Sequence, residues 1–545
     1  MHPFLRPLGG LLLCGLLGPA AAYDQNEPQR FAKTNERASE YNTPEFRVLM
    51  QQVTLEEDLR LAQIKLTDPE RNSNGSLCQQ HRDGCLGDPR FYHWGEDGTG
   101  IRQEVVFTAR NGATISGHVW ATVEGPARRP GILINSGSVQ APEELWGWAG
   151  GVLARNGYVV MTWDPQGQGY SDTFGACTDD FPDLGDCPDR ADGVPAQSND
   201  VQPFYLGSQD ALDFFLSSPD TPYLPRDSRN GANRAGKQQR RVAEGFNTPW
   251  NPLWEMLDAS RLGVAGNSKG AGSATQLAMA DTRIDAVVGW DNLGGATDSA
   301  AFVPGLVPRV PGLGISNDYG LDVVPHTSKP DPESKLSGFR SHVEQGVDSA
   351  QINIRGGTHF ESAYIPNPKF GATLYGLDLT AWYTVAWFDK YLKADRTADD
   401  RLLSDRWRCD PRSARIEEAL LHAPGGVGDP NLISIDLDSR IAITTFAGEA
   451  FVCEDWRGGC DGRLRADGLP HPYSYLDDAF GTQTTAASAF EGCPNNASAR
   501  DSATATRAGA GPVGWATLAV LGLLTGLGMG RSLASRRRVS TQGAA

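Results

Sequence analysis

The residues of this chain whose types and spacing fit chemistry gather around Ser268. It stands in Gly266-Asn267-Ser268-Lys269-Gly270, a G-x-S-x-G pattern. A serine hydroxyl is a weak nucleophile at neutral pH. It becomes an effective one where a base takes its proton and an acid orients that base. The setting of the pattern carries more weight than its letters. Arg261-Leu262-Gly263-Val264-Ala265 before it reads as a short apolar strand, and Ala271–Ala280 after it is small-residued and helix-compatible. Strand, sharp turn and helix around such a serine form the arrangement that presents a nucleophile. The flanking glycines let the turn close without Cβ collisions. A plain tight turn is the alternative reading.

A second signal lies about a hundred residues earlier. Tyr158-Val159-Val160-Met161-Thr162-Trp163 is an apolar strand running into Asp164-Pro165-Gln166-Gly167-Gln168-Gly169-Tyr170-Ser171. With these two segments the chain resembles the α/β-hydrolase superfamily, whose fourth strand typically ends in D-x-R-G-x-G-x-S. Gln166 stands where the family often has Arg, a departure that touches loop packing. The resemblance covers roughly residues 101–395.

The resemblance implies an α/β fold, the α/β-hydrolase fold: a mostly parallel central sheet covered by helices on both faces, with N- and C-terminal extensions. It also implies a serine hydrolase that cleaves carboxylic esters through an acyl-serine, with the chain order Ser, acid, His. Of His326, His342, His359, His422 and His471, which follow Ser268, only His359 stands in a glycine-bearing loop directly after a late strand. It is the expected base. Asp318, after the strand Val310–Ile315, matches the family position for the acid, and Asp291, ending the preceding strand, is the alternative. The oxyanion hole would take one backbone N–H from Lys269. The other would come from Ser138, with Val139 the alternative, in Asn135-Ser136-Gly137-Ser138-Val139, where Ser136 replaces the family's His. Such chemistry needs no cofactor and no metal, and its substrate is a small-molecule or lipid-like ester. A serine peptidase on the same fold and a non-catalytic, hydrolase-like binding module are the rival readings.

The elements that would position these residues alternate. Strands are expected at 103–109, 114–122, 131–135, 158–163, 261–266, 284–290, 310–315 and 351–355. Helices are expected at 142–155, 208–216, 270–280 and 377–392. Alternation of this kind argues for a parallel sheet with helices on both faces. Asn111-Gly112 marks a hairpin turn between the first two strands. Insertions at about 173–202 and 219–249 are expected at the rim of the site. Residues 23–98 read as a mostly irregular extension. Residues 396–494, with strand-like stretches at 433–435 and 440–446, read as a small appended region.

The ends of the chain point outward. Arg6, the apolar run Leu8–Leu17 and Ala20-Ala21-Ala22 form an export signal over residues 1–22. Eight cysteines remain after it, an even number that predicts disulfides. Close pairs are Cys78 with Cys85, Cys177 with Cys187, and Cys453 with Cys460, leaving Cys409 and Cys493 for a long-range pair. The alternative is free or otherwise paired thiols. Residues 495–510 read as a flexible stalk. The uncharged run 511–530 is long enough to span a bilayer, and Arg531, Arg536, Arg537 and Arg538 in the basic tail 531–545 would hold its end in the cytoplasm. The chain is then exported to the cell envelope or beyond, and membrane-anchored or sorted through this segment. A net charge of −17 argues against a nucleic-acid partner. The sequence leaves the oligomeric state open.

Overall fold

The computed structural model describes residues 44–75, 88–137, 141–173, 202–228, 231–291, 293–294, 305–317, 319–320, 332–354, 357–363, 374–402, 438–444, 448–454 and 460. In chain order the helices are α1 (Pro44–Thr67), α2 (Gly147–Arg155), α3 (Gly207–Phe215), α4 (Ala235–Ala243), α5 (Lys269–Ala280), α6 (Ser337–Glu344), α7 (Leu374–Lys393) and α8 (Thr397–Leu402). The strands are β1 (Gly100–Thr108), β2 (Thr114–Thr122), β3 (Arg129–Asn135), β4 (Val159–Trp163), β5 (Leu257–Asn267), β6 (Ala286–Trp290), β7 (Gly312–Asn317), β8 (Ser349–Ile354), β9 (Asp438–Thr444) and β10 (Ala450–Cys453).

These ten strands form one sheet in the order β1-β2-β4-β3-β5-β6-β7-β8-β9-β10. The six central strands from β4 to β8 run parallel. β1 and β2 are antiparallel at one edge, and β9 and β10 at the other. The class is therefore α/β with a mostly parallel sheet. Its central strands are apolar because both faces are covered, and neighbouring residues serve opposite faces. Ile132 and Ile134 of β3 join a core that holds α2 and α7, through Trp148, Val152, Trp382 and Trp387. Leu133 between them joins a second core that holds α3 and α5, through Leu212, Phe214, Ala274 and Leu277. Val288 and Val287 of β6 divide the same way.

The first hairpin turns where expected. Gly112 has φ +94°, and the Asn111 carboxamide accepts the Ala113 N–H at 3.0 Å. Three other expectations meet a different arrangement. Residues 44–67, read as part of an irregular extension, are a 24-residue helix. Its apolar residues lie on two faces, so no one-sided period stands out in the sequence.

Residues 231–249 of the second insertion lie along the outer edge of β1 instead of at the rim. Thr248 exchanges hydrogen bonds with Val106, its N–H donating to the carbonyl at 2.7 Å and its hydroxyl accepting the N–H at 3.0 Å. The Gln238 carboxamide accepts the Thr108 N–H at 2.9 Å. β9 and β10 extend the main sheet and do not build a separate body, because Ile441 and Ile443 bury into the α7 core.

Cys453 and Cys460 are joined as expected. The other cysteine pairings (Cys78, Cys85, Cys177, Cys187, Cys409, Cys493), the export signal and residues 494–545 lie outside the described residues. No described helix is long and apolar enough to cross a membrane.

Candidate active site

The strand order reverses direction at β3: β4 lies on one side of it, and β5 with all later parallel strands on the other. In open parallel sheets ligands bind at such a switch point, beyond the carboxyl ends of the strands. Residues 136–137 leave β3 there, and Ser268 leaves β5 beside them.

Ser268 has φ 55° and ψ −120°, a conformation that L-residues rarely adopt. The turn is held from both sides. The Ser268 N–H donates to the Trp290 carbonyl at 3.3 Å, and its own carbonyl accepts the Gly272 N–H at 3.1 Å. A Cβ on Gly270 would sit 2.1 Å from the Asn135 carbonyl oxygen. One on Gly266 would sit 2.3 Å from the Gly270 oxygen. Both glycines are thus demanded by backbone packed on backbone. Gly137 closes on the serine itself, since a Cβ there would lie 3.3 Å from Ser268 Cβ. The N–H of Lys269 opens α5, at the end of a helix where the dipole favours negative charge.

The loop after β3 is clamped by the turn after β4. Gln168 donates to the Gly137 carbonyl at 2.9 Å and accepts the Ala141 N–H at 2.8 Å, gripping both ends of the segment that contains Ser138. Buried Asp164 accepts the N–H of Tyr170 and that of Glu143, each at 2.8 Å. Burial and the Glu143 charge push its carboxyl well above the ordinary range. Gln166 is also buried and takes a hydrogen bond from Asn111 at 2.5 Å. Ser138 itself lies outside the described residues.

His359 follows β8, and its Nδ1 lies 3.4 Å from Asp291 Oδ2, with both side chains partly buried. Asp291 directly follows β6 with φ 143°, the second non-glycine residue at this sheet edge with a strained backbone. Burial alone would raise its carboxyl. The hydrogen bond and charge of His359, aided by Lys335, outweigh that and hold it below the ordinary carboxylate value. The structure thus brings together His359 and Asp291, the alternative acid. Asp318 lies outside the described residues.

The His359 loop is tied to the serine turn by residues that spacing does not reveal. Asn267 donates to the Ser362 hydroxyl at 2.9 Å and to the Trp290 carbonyl at 2.7 Å. Trp148 donates to the Ser362 carbonyl at 2.7 Å. Asn267 is visible as the variable letter before the serine. Ser362 and Trp148 carry no sequence signal. Among the described residues no cluster of His, Cys, Asp and Glu has the makings of a metal site.

Comparison with known proteins adds no relative: no protein-family model matches the chain, and no curated protein matches it.

Proposed function

We propose that the chain is a serine hydrolase of the α/β-hydrolase fold that cleaves carboxylic esters. The observation that carries this reading is the backbone of Ser268, held at positive φ between β5 and α5 at the switch point of the sheet. Strain of this kind persists only where surrounding packing enforces it, and it clusters at functional sites. Supporting it are the His359–Asp291 pair and the Asn267–Ser362 bond that ties the two loops together.

In the proposed reaction His359 Nε2 takes the Ser268 hydroxyl proton as Oγ attacks the ester carbonyl carbon. The carbonyl electron pair moves to oxygen, where the Lys269 N–H and an N–H from the loop after β3, at Ser138, receive it. Collapse breaks the C–O bond, and the imidazolium gives its proton to the departing alkoxide. Water then repeats the sequence on the acyl-serine, releasing the acid and restoring Ser268. Asp291 orients the imidazole through Nδ1. Its 3.4 Å separation is open for a hydrogen bond, as such contacts commonly are in free enzymes. The same proposal places the protein outside the cytoplasm, tethered or sorted through residues 511–530.

Ser268→Ala tests the reading. It should abolish fluorophosphonate labelling and lower ester turnover by roughly 10⁴-fold or more while thermal unfolding stays unchanged. Labelling that persists in this variant would remove Ser268 from the mechanism.

A further inference from the structure

Helix α1 presents a second apolar face that the body does not use. Its inner face is fixed: Val53 and Ile64 are buried, and the Tyr170 hydroxyl donates to the Glu57 carboxylate. The Arg60 guanidinium lies 3.9 Å above the Tyr170 ring and 2.9 Å from Glu104. On the opposite side Val48, Leu55, Leu59 and Leu66 are 63%, 61%, 64% and 85% exposed. At about 100° per residue these four fall within about 20° of a single line along the helix. With Gln52 and Ala62, also exposed, they follow each other by alternating steps of four and three. That is the spacing of a two-helix seam, where alternate knobs meet a facing helix.

We propose that this face pairs with the same face of a second copy of the chain, α1 against α1, antiparallel about a two-fold axis. The flanking charges choose the partner and the register. With Leu55 opposite Leu66 of the other copy, Leu59 meets Ala62 and Asp58 comes opposite Lys65, while Val48 and Gln52 extend past the end of the partner helix. The two-fold axis produces each of these pairs twice, so one patch complements itself. Sliding by one heptad sets Asp58 against Asp58 and Glu56 against Glu56, a like-charge arrangement. Parallel pairing sets Asp58 against Gln63 and buries Gln52 on its own copy, forming no charge pair. Asp58, Lys65 and the apolar positions are all exposed. A single helix-on-helix contact is expected to be weak and reversible.

Sedimentation velocity on the full chain, over concentrations reaching about 100 µM, tests this. The unaltered chain should show a reversible monomer–dimer equilibrium. Leu59→Glu should weaken it at least about tenfold, with circular dichroism unchanged because the position is exposed. Asp58→Lys and Lys65→Asp should each weaken it, and the two together should restore it, as only the antiparallel register allows. A chain that stays monomeric at the highest concentration overturns the proposal. If that monomer binds phosphatidylglycerol vesicles and loses the binding on Leu59→Glu, the face meets lipid. If Leu59→Cys in that monomer resists alkylation, another segment of the chain covers it. A dimer indifferent to Leu59→Glu, or a charge swap that fails to restore pairing, overturns the proposal as well.

Discussion

The switch-point edge of the sheet and the foot of helix α1 hold their parts in place by opposite means. At the edge, Ser268 and Asp291 sit in strained backbone just after adjacent strands, and the loops there are fixed by close backbone approach and neutral hydrogen bonds from Asn267 and Gln168. At the foot, the attachment is electrostatic. Asp68, just after α1, accepts from both terminal guanidinium nitrogens of Arg241 at 2.8 and 2.6 Å, with both side chains buried. Arg71 reaches the Tyr170 carbonyl at 2.8 Å and Glu104 at 2.7 Å. Precise orientation of a reacting group comes from a backbone that has few other places to go. Joining a peripheral segment to a finished sheet needs only complementary charge sheltered from water.

The comparison predicts that damage at the edge is read in turnover and damage at the foot in stability. Asp291→Asn should produce the largest effect, a loss on the order of 10⁴-fold in kcat, because the base would rest in the wrong tautomer. Its melting temperature should move little, while Asp318→Asn should leave kcat within about tenfold. A reversal of that ranking in steady-state kinetics would assign the orienting role to Asp318 and leave Asp291 as backbone scaffolding.

Arg241→Met should act the other way. Removing one partner of a buried bidentate pair costs about 3–5 kcal/mol. Urea unfolding should register that loss, while kcat on a small ester, measured where the variant remains folded, should stay unchanged. A fall in kcat matching that of Asp291→Asn would mean that the foot of α1 also positions the site.

The smallest effect sharpens the distinction in acid. Buried His342 donates its Nδ1–H to the Gly338 carbonyl at 2.8 Å, and burial holds its pKa at about 4 instead of 6.5. Below pH 6.5 the unfolded chain takes up a proton that the folded chain refuses until about pH 4. Stability therefore falls as pH drops through that window, by about 3 kcal/mol in all. His342→Gln should flatten this part of the stability–pH curve. An unchanged slope in the variant would show that other groups carry the acid sensitivity.

The edge was the more legible of the two regions. A strand ending in a glycine-flanked serine and continuing as a helix is a local pattern, and every residue that makes it lies within about twenty positions. The choice between Asp291 and Asp318 was not local. Both follow apolar strands, and the sequence alone does not bring His359 to within 3.4 Å of Asp291, a contact made across β7. Ser362 and Trp148 are 214 residues apart, so no local spacing could flag their contact. Helix α1 escaped because a helix that is apolar on two sides shows no single-sided period. The role of residues 231–249 was hidden for another reason. Gln238 and Thr248 are ordinary polar residues until their hydrogen bonds to β1 are seen.

Those bonds have a bearing on how the chain survives its own synthesis. A sheet of ten strands has two open borders, and an uncovered border is a template on which other chains can stack into insoluble aggregates. Along β1 the backbone groups of Val106 and the N–H of Thr108 are already taken by Thr248 and Gln238. The segment expected at the rim of the site is better regarded as a guard rail. It leaves the switch-point edge free to vary while one flank of the sheet is kept from recruiting its neighbours.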